Sequence, residues 1–191
     1  QGSTPRATDE RCLYKVVCNE YNPIVMNATK TDRVIAEEIL RIMREKGMTL
    51  ATAESCTSGR IVASLTSVDG ASEYVRGGLA AYQNDVKIKL LGVPESVIHD
   101  MGVVSEPVVR QMVRGACELL GSDYAIASTG YTGTGGDGKA SGTVWIGWGC
   151  VDDIHSVCLH DNRGRETNTA AAAERAISEF LEYLKTKYET R

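Results

Sequence analysis

Apolar positions along the chain fall into two alternating periods. Val34, Ile35, Ile39, Ile42 and Met43 recur at the spacing of one helical face, from Thr31-Asp32 to a stop at Gly47. Thr49 to Glu54, small and β-branched, breaks that period and reads as a strand. It ends abruptly in Ser55-Cys56-Thr57-Ser58-Gly59, and a new apolar run, Ile61 to Leu65, follows. The pattern predicts a strand feeding a helix over about 57–67 through a tight turn, with Ser55 as the helix cap. Gly77 to Tyr82 reads as a buried strand, leading to a helical segment around Val86, Lys87 and Leu90-Leu91. A short helix is expected over Pro94–Asp100, and Ser105-Glu106-Pro107 opens a longer one ending at Gly121. Asp123 to Thr129 is a strand, Thr143 to Gly149 and Ile154 to His160 form a hairpin, and an Ala-rich helix closes the chain over about 166–187.

Strands alternating with helices predict an α/β fold, a three-layer α/β/α sandwich on a mixed, mainly parallel sheet with a C-terminal hairpin plus helix. Residues 31–188 form the expected domain and 1–30 an N-terminal extension, in which Gln1-Gly2-Ser3 reads as a tag remnant and Leu13–Cys18 as a short strand. The 191 residues can bury one core, and 42% apolar with 24% charged residues argues against disorder. A net charge of −4 leaves no basic footprint for nucleic acid, and no apolar run approaches the roughly 20 residues of a membrane span. The six cysteines lack a C-x-x-C pair, and no secretory pattern is visible, so reduced thiols in the cytoplasm are expected. The three histidines do not repeat at ligand spacing, and neither a metal nor a cofactor is expected.

Chemistry concentrates at two places. Ser55 stands where free helix N–H groups favour negative charge, so a nucleophile there would have an oxyanion stabiliser beside it. Cys56 competes for that role, because a helix N-terminus lowers a thiol pKa. The second place is the Gly-rich loop from Gly130 to Gly142. Gly133 to Gly138 satisfies G-x-G-x-x-G, but it leads into a strand where a dinucleotide fingerprint must open a helix. Gly133 to Lys139 spells G-x-x-x-x-G-K, but Ala140 stands where a phosphate loop needs a hydroxyl. What remains is either an anion nest of backbone N–H groups or a plain connection.

An ordered series binds these places together. It runs Ala53-Glu54-Ser55-Cys56-Thr57-x-Gly59, Gly77-Gly78-x3-Tyr82-x-Asn84-x2-Lys87, Leu91-Gly92-Val93, Gly102-x-Val104-Ser105-Glu106, Thr129-Gly130-x2-Gly133-x-Gly135-Gly136 and Gly142-Thr143-Val144-Trp145. The series resembles the CinA C-terminal domain family, whose stand-alone members (PncC) are nicotinamide mononucleotide amidases, and the resemblance covers residues 32–185. It implies an amidohydrolase that deamidates nicotinamide mononucleotide to nicotinic acid mononucleotide, with Ser55 as nucleophile and Tyr82 and Lys87 activating it. It implies substrate contacts at Thr57, Asn84, Thr129, Gly130, Gly133, Gly135, Gly136 and Arg163, a pyridine nucleotide as the small-molecule partner, and a homo-oligomer. From the residues alone, Tyr82 also reads as a rim aromatic, Lys87 as a solvated charge and Arg163 as a partner of surface acids.

The chain departs from the family pattern in several places. Ser58-Gly59 replaces two glycines, Tyr131 and Thr134 interrupt a G-I-A-G-P loop, Lys139-Ala140-Ser141-Gly142 replaces K-P-V-G, and Asp161-Asn162-Arg163 stands for G-D-R. These changes also fit a catalytically silent binding or interaction domain, or an amidase for another small amide.

Overall fold

The structure, a computed structural model, describes residues 29–133 and 140–189. The expected strand at Leu13–Cys18 and the loop positions Gly135 and Gly136 lie outside them. The chain enters through α1 (Lys30–Lys46), closed at its start by a reciprocal capping box between Thr29 and Asp32. β1 (Leu50–Glu54), α2 (Arg60–Leu65), a 3-10 turn (Ala71–Glu73) and β2 (Val75–Ala80) follow. Next come α3 (Asn84–Leu91), α4 (Glu95–Met101), α5 (Glu106–Leu120) and β3 (Tyr124–Tyr131). The hairpin of β4 (Thr143–Cys150) and β5 (Asp153–His160) leads into α6 (Arg165–Tyr188).

One mixed sheet in the order β2-β1-β3-β4-β5 organises the layers. β1 runs parallel to both β2 and β3, while β4 is antiparallel to β3 and to β5. Alternation along the central strands sorts the two cores. Leu50 and Ile126 pack with Ile39, Ile61 and Phe180 of α1, α2 and α6. Ala51, Ala53, Ala125 and Ala127 meet Val108, Val109 and Met112 of α5 on the opposite face. These alanines let α5 lie close to the sheet, and Gly147 of β4 continues the same small floor, with Val109 and Val113 above it. Gly115 extends the close fit to α3: a Cβ there would overlap the Leu91 carbonyl.

Two local expectations change. Gly77 to Tyr82 is no buried strand: β2 is an edge strand with alternating burial, and it ends at Ala80, leaving Tyr82 in a loop. Ser55 is not a cap either. α2 starts later, at Arg60 after Gly59, and no side chain at its cap position bonds to it.

Candidate active site

The C-terminal ends of the parallel strands β1, β2 and β3 point the same way, which is where open α/β sheets place ligands. Ser55 follows β1, Tyr82 follows β2, and Thr129 and Gly130 lie near the end of β3; all line one cavity of about 220 Å³. The register pairs Glu54 with Ser128, and the Ser55 N–H donates to the Ser128 carbonyl at 3.0 Å.

Lys87 reaches the same spot from α3. Its Nζ lies 3.0 Å from Ser55 Oγ and 3.0 Å from the Tyr82 carbonyl, and the residue is only 1% exposed. Burial, which disfavours the ammonium, pulls its pKa down from 10.5 to about 8, and the neighbouring Cys56 opposes this only in part. A lysine read from sequence as a solvated charge is thus a buried amine in contact with a serine. Cys56 goes the other way. Burial pushes its thiol up to about 12, against the opposing Ser128 hydroxyl, so the thiolate needed for attack is absent at neutral pH.

Beneath the turn, the Glu54 carboxylate accepts from the N–H groups of Gly59 (2.9 Å), Ile61 (3.0 Å) and Val62 (2.9 Å). It also accepts from Thr57 Oγ1 (2.7 Å) and Thr52 Oγ1 (3.2 Å). The first-turn donors of α2 that the sequence offered to an oxyanion are therefore occupied by the protein's own acid. Glu54 does not take the N–H of Cys56, the residue that follows Ser55 and lines the cavity beside it.

The other expected site residues divide. Asn84, Thr129, Gly130 and Gly133 line the cavity, with the Thr129 hydroxyl donating to the Val103 carbonyl at 2.9 Å. Thr57 is wholly buried, its hydroxyl engaged with Glu54 and Ser128, so it faces no ligand. Tyr82 is half exposed at the mouth. Its hydroxyl, expected to relay or orient the serine proton, accepts from Arg165 at 3.2 Å, and its backbone carbonyl meets Lys87. Arg163 is drawn away by a 2.6 Å ion pair with Asp161 and lines a separate groove against α6. Arg165, missed from sequence, lines the cavity. Its signal was positional: it opens α6 directly after Gly164, so the helix start aims it at the mouth. Glu54 was legible too, as an acid ending a strand of small residues.

The CinA C-terminal domain profile matches residues 32–184. A CinA-like protein of Synechocystis sp. is 45% identical over 140 residues, covering 69% of this chain and 33% of the relative. One of Chlorobium limicola is 37% identical over 150 residues, covering 78% and 35%. The chain thus spans about a third of the length of these curated relatives. Among solved structures, competence damage-inducible protein A (ComA) of Klebsiella pneumoniae is 30% identical at a TM-score of 0.77, covering 80% of this chain and 96% of that one. Competence/damage inducible protein CihA of Agrobacterium tumefaciens is 29% identical at 0.78, covering 83% and 98%.

Proposed function

The chain belongs to the CinA C-terminal domain family, and from that footing we propose that it is a serine amidohydrolase converting nicotinamide mononucleotide to nicotinic acid mononucleotide and ammonia. The observation that carries the reading is the buried 3.0 Å contact between Lys87 Nζ and Ser55 Oγ. A neutral Lys87 donates one N–H to the Tyr82 carbonyl and turns its lone pair to the Ser55 hydroxyl. It takes the hydroxyl proton as Ser55 Oγ attacks the carboxamide carbon. The oxyanion that develops sits against the Cys56 N–H. The Lys87 ammonium then passes its proton to the leaving nitrogen, and the C–N bond breaks to give ammonia and a Ser55 ester. Lys87 next takes a proton from a water that attacks the ester carbon; the bond from that carbon to Ser55 Oγ breaks, Lys87 returns the proton to Ser55 Oγ, and the acid leaves as its carboxylate. At about 220 Å³ the cavity is smaller than the roughly 300–1,000 Å³ of a drug-sized pocket. It suits the pyridine carboxamide, with the phosphate at the mouth on the Arg165 guanidinium. In this reading Tyr82 holds Arg165 and does not relay protons.

Ammonia release from nicotinamide mononucleotide tests the substrate. Turnover is expected, with KM raised about tenfold or more in Arg165→Ala, the usual cost of losing a charge-assisted contact, and unchanged within about twofold in Arg163→Ala. No ammonia from the wild-type protein would refute this substrate, and an Arg163→Ala effect larger than that of Arg165→Ala would refute the phosphate placement.

A further inference from the structure

Of the groups the proposed reaction leaves unused, Glu54 is the one built most deeply into the site. It immediately precedes the nucleophile, is 1% exposed, and by strand alternation turns to the sheet face opposite Ser55. Its carboxylate spans the whole turn. Thr52 Oγ1 donates from within β1, Thr57 Oγ1 from the middle of the turn, and the Gly59, Ile61 and Val62 N–H groups from the start of α2. An ordinary cap would serve α2 from the residue next to it, but Gly59 has no side chain to offer. Thr57 carries the tie onward to the neighbouring strand through a 2.7 Å contact with Ser128 Oγ, and the Ser128 carbonyl accepts the Ser55 N–H. The nucleophile is therefore held from below by one acid that bonds both ends of the loop it sits on.

Resting on the Ser55–Lys87 reading, we infer that Glu54 is a positioning residue. Its carboxylate sets the shape of the 55–59 turn, which keeps Ser55 Oγ within hydrogen-bond reach of Lys87 Nζ and aims the Cys56 N–H at the oxyanion. An amide cannot replace it. Glutamine has one acceptor oxygen, and its NH2 would confront a backbone N–H of α2. The Ser55 turn would shift, and a displacement of about 1 Å at reacting atoms costs on the order of 100-fold in rate.

The test compares wild type, Glu54→Gln and Thr57→Val in three readings: thermal midpoint, ammonia-release kinetics at a temperature where each protein is folded, and the Ser55 Oγ to Lys87 Nζ distance in crystal structures. Glu54→Gln is expected to lose about 100-fold in kcat with KM within about twofold, and its Ser55–Lys87 contact opens beyond hydrogen-bond range. Thr57→Val, which removes one donor and the Ser128 tie, is expected to show the same split at about tenfold. A purely structural Glu54 would lower the thermal midpoint and leave kcat per folded molecule unchanged, and that result overturns the inference. If the wild type does not turn over the nucleotide, the amidase reading fails separately. The crystallographic distance then decides: an opened contact supports positioning and a retained one overturns it. If Glu54→Gln does not fold, the same readings on Thr57→Val decide.

Discussion

Lys87 carries a charge that its surroundings do not want. At a pKa of about 8, roughly one molecule in ten holds it neutral at pH 7. Activity governed by a neutral lysine should therefore rise about tenfold per pH unit below that value and level off above it. A kcat/KM profile that is flat between pH 6 and 9 would remove Lys87 as the base. The same shift bears on stability with a definite sign. Because the folded pKa lies below the unfolded 10.5, the unfolded chain binds more protons between about pH 8 and 10.5, and Lys87 makes stability rise with pH there. Above that window its burial costs nothing through ionisation; below it the cost is present in full. Residue-level reading of the sequence could not reach this point. Position 87 in an eight-residue helix reads as solvated until α3 is seen packed against α5. The family resemblance pairs Ser55 with Lys87 and prefers the serine, while the case against Cys56 as nucleophile rests on its burial, which no residue pattern displays.

At the scale of elements, the turn between β1 and α2 shows what local rules can and cannot see. Ser and Thr near a helix start are read as caps because capping is usually done by neighbours in sequence. Here the cap comes from Glu54, as many as eight residues from the N–H groups it binds, and only the strand geometry brings it there. Ser58 adopts the left-handed conformation at φ 52°, with only a 3.3 Å hydroxyl contact to the Ser55 carbonyl in return. That conformation costs a non-glycine residue about 1 kcal/mol or more. Ser58→Gly is expected to stabilise the protein by about 0.5–1 kcal/mol, raising the thermal midpoint by roughly 1–4 °C. A lowered midpoint would mean that the hydroxyl contact outweighs the backbone strain. β2 was misjudged for a related reason: two glycines in an apolar run look buried, yet they sit in an edge strand where Gly78 yields space to Thr52 and Val62.

Across the whole molecule, the layered α/β order was legible because hydrophobic period switches from helix to strand and back along the chain, and the hairpin announced the antiparallel edge. Convergence of three strand ends on one cavity follows from that order. The arginine at the mouth did not. Arg163 and Arg165 differ by two positions, and the Asp161 ion pair together with the start of α6 decides between them. No helix among the described residues is long and apolar enough to cross a membrane. The central claim is that Ser55 is a nucleophile activated by Lys87, and the most direct measurement is to map by peptide mass spectrometry where a serine-reactive fluorophosphonate attaches at neutral pH. A single adduct on Ser55, formed by the wild type and lost in Lys87→Ala, is the predicted result. An adduct on Cys56, or labelling of Ser55 that continues at full rate without Lys87, would contradict it.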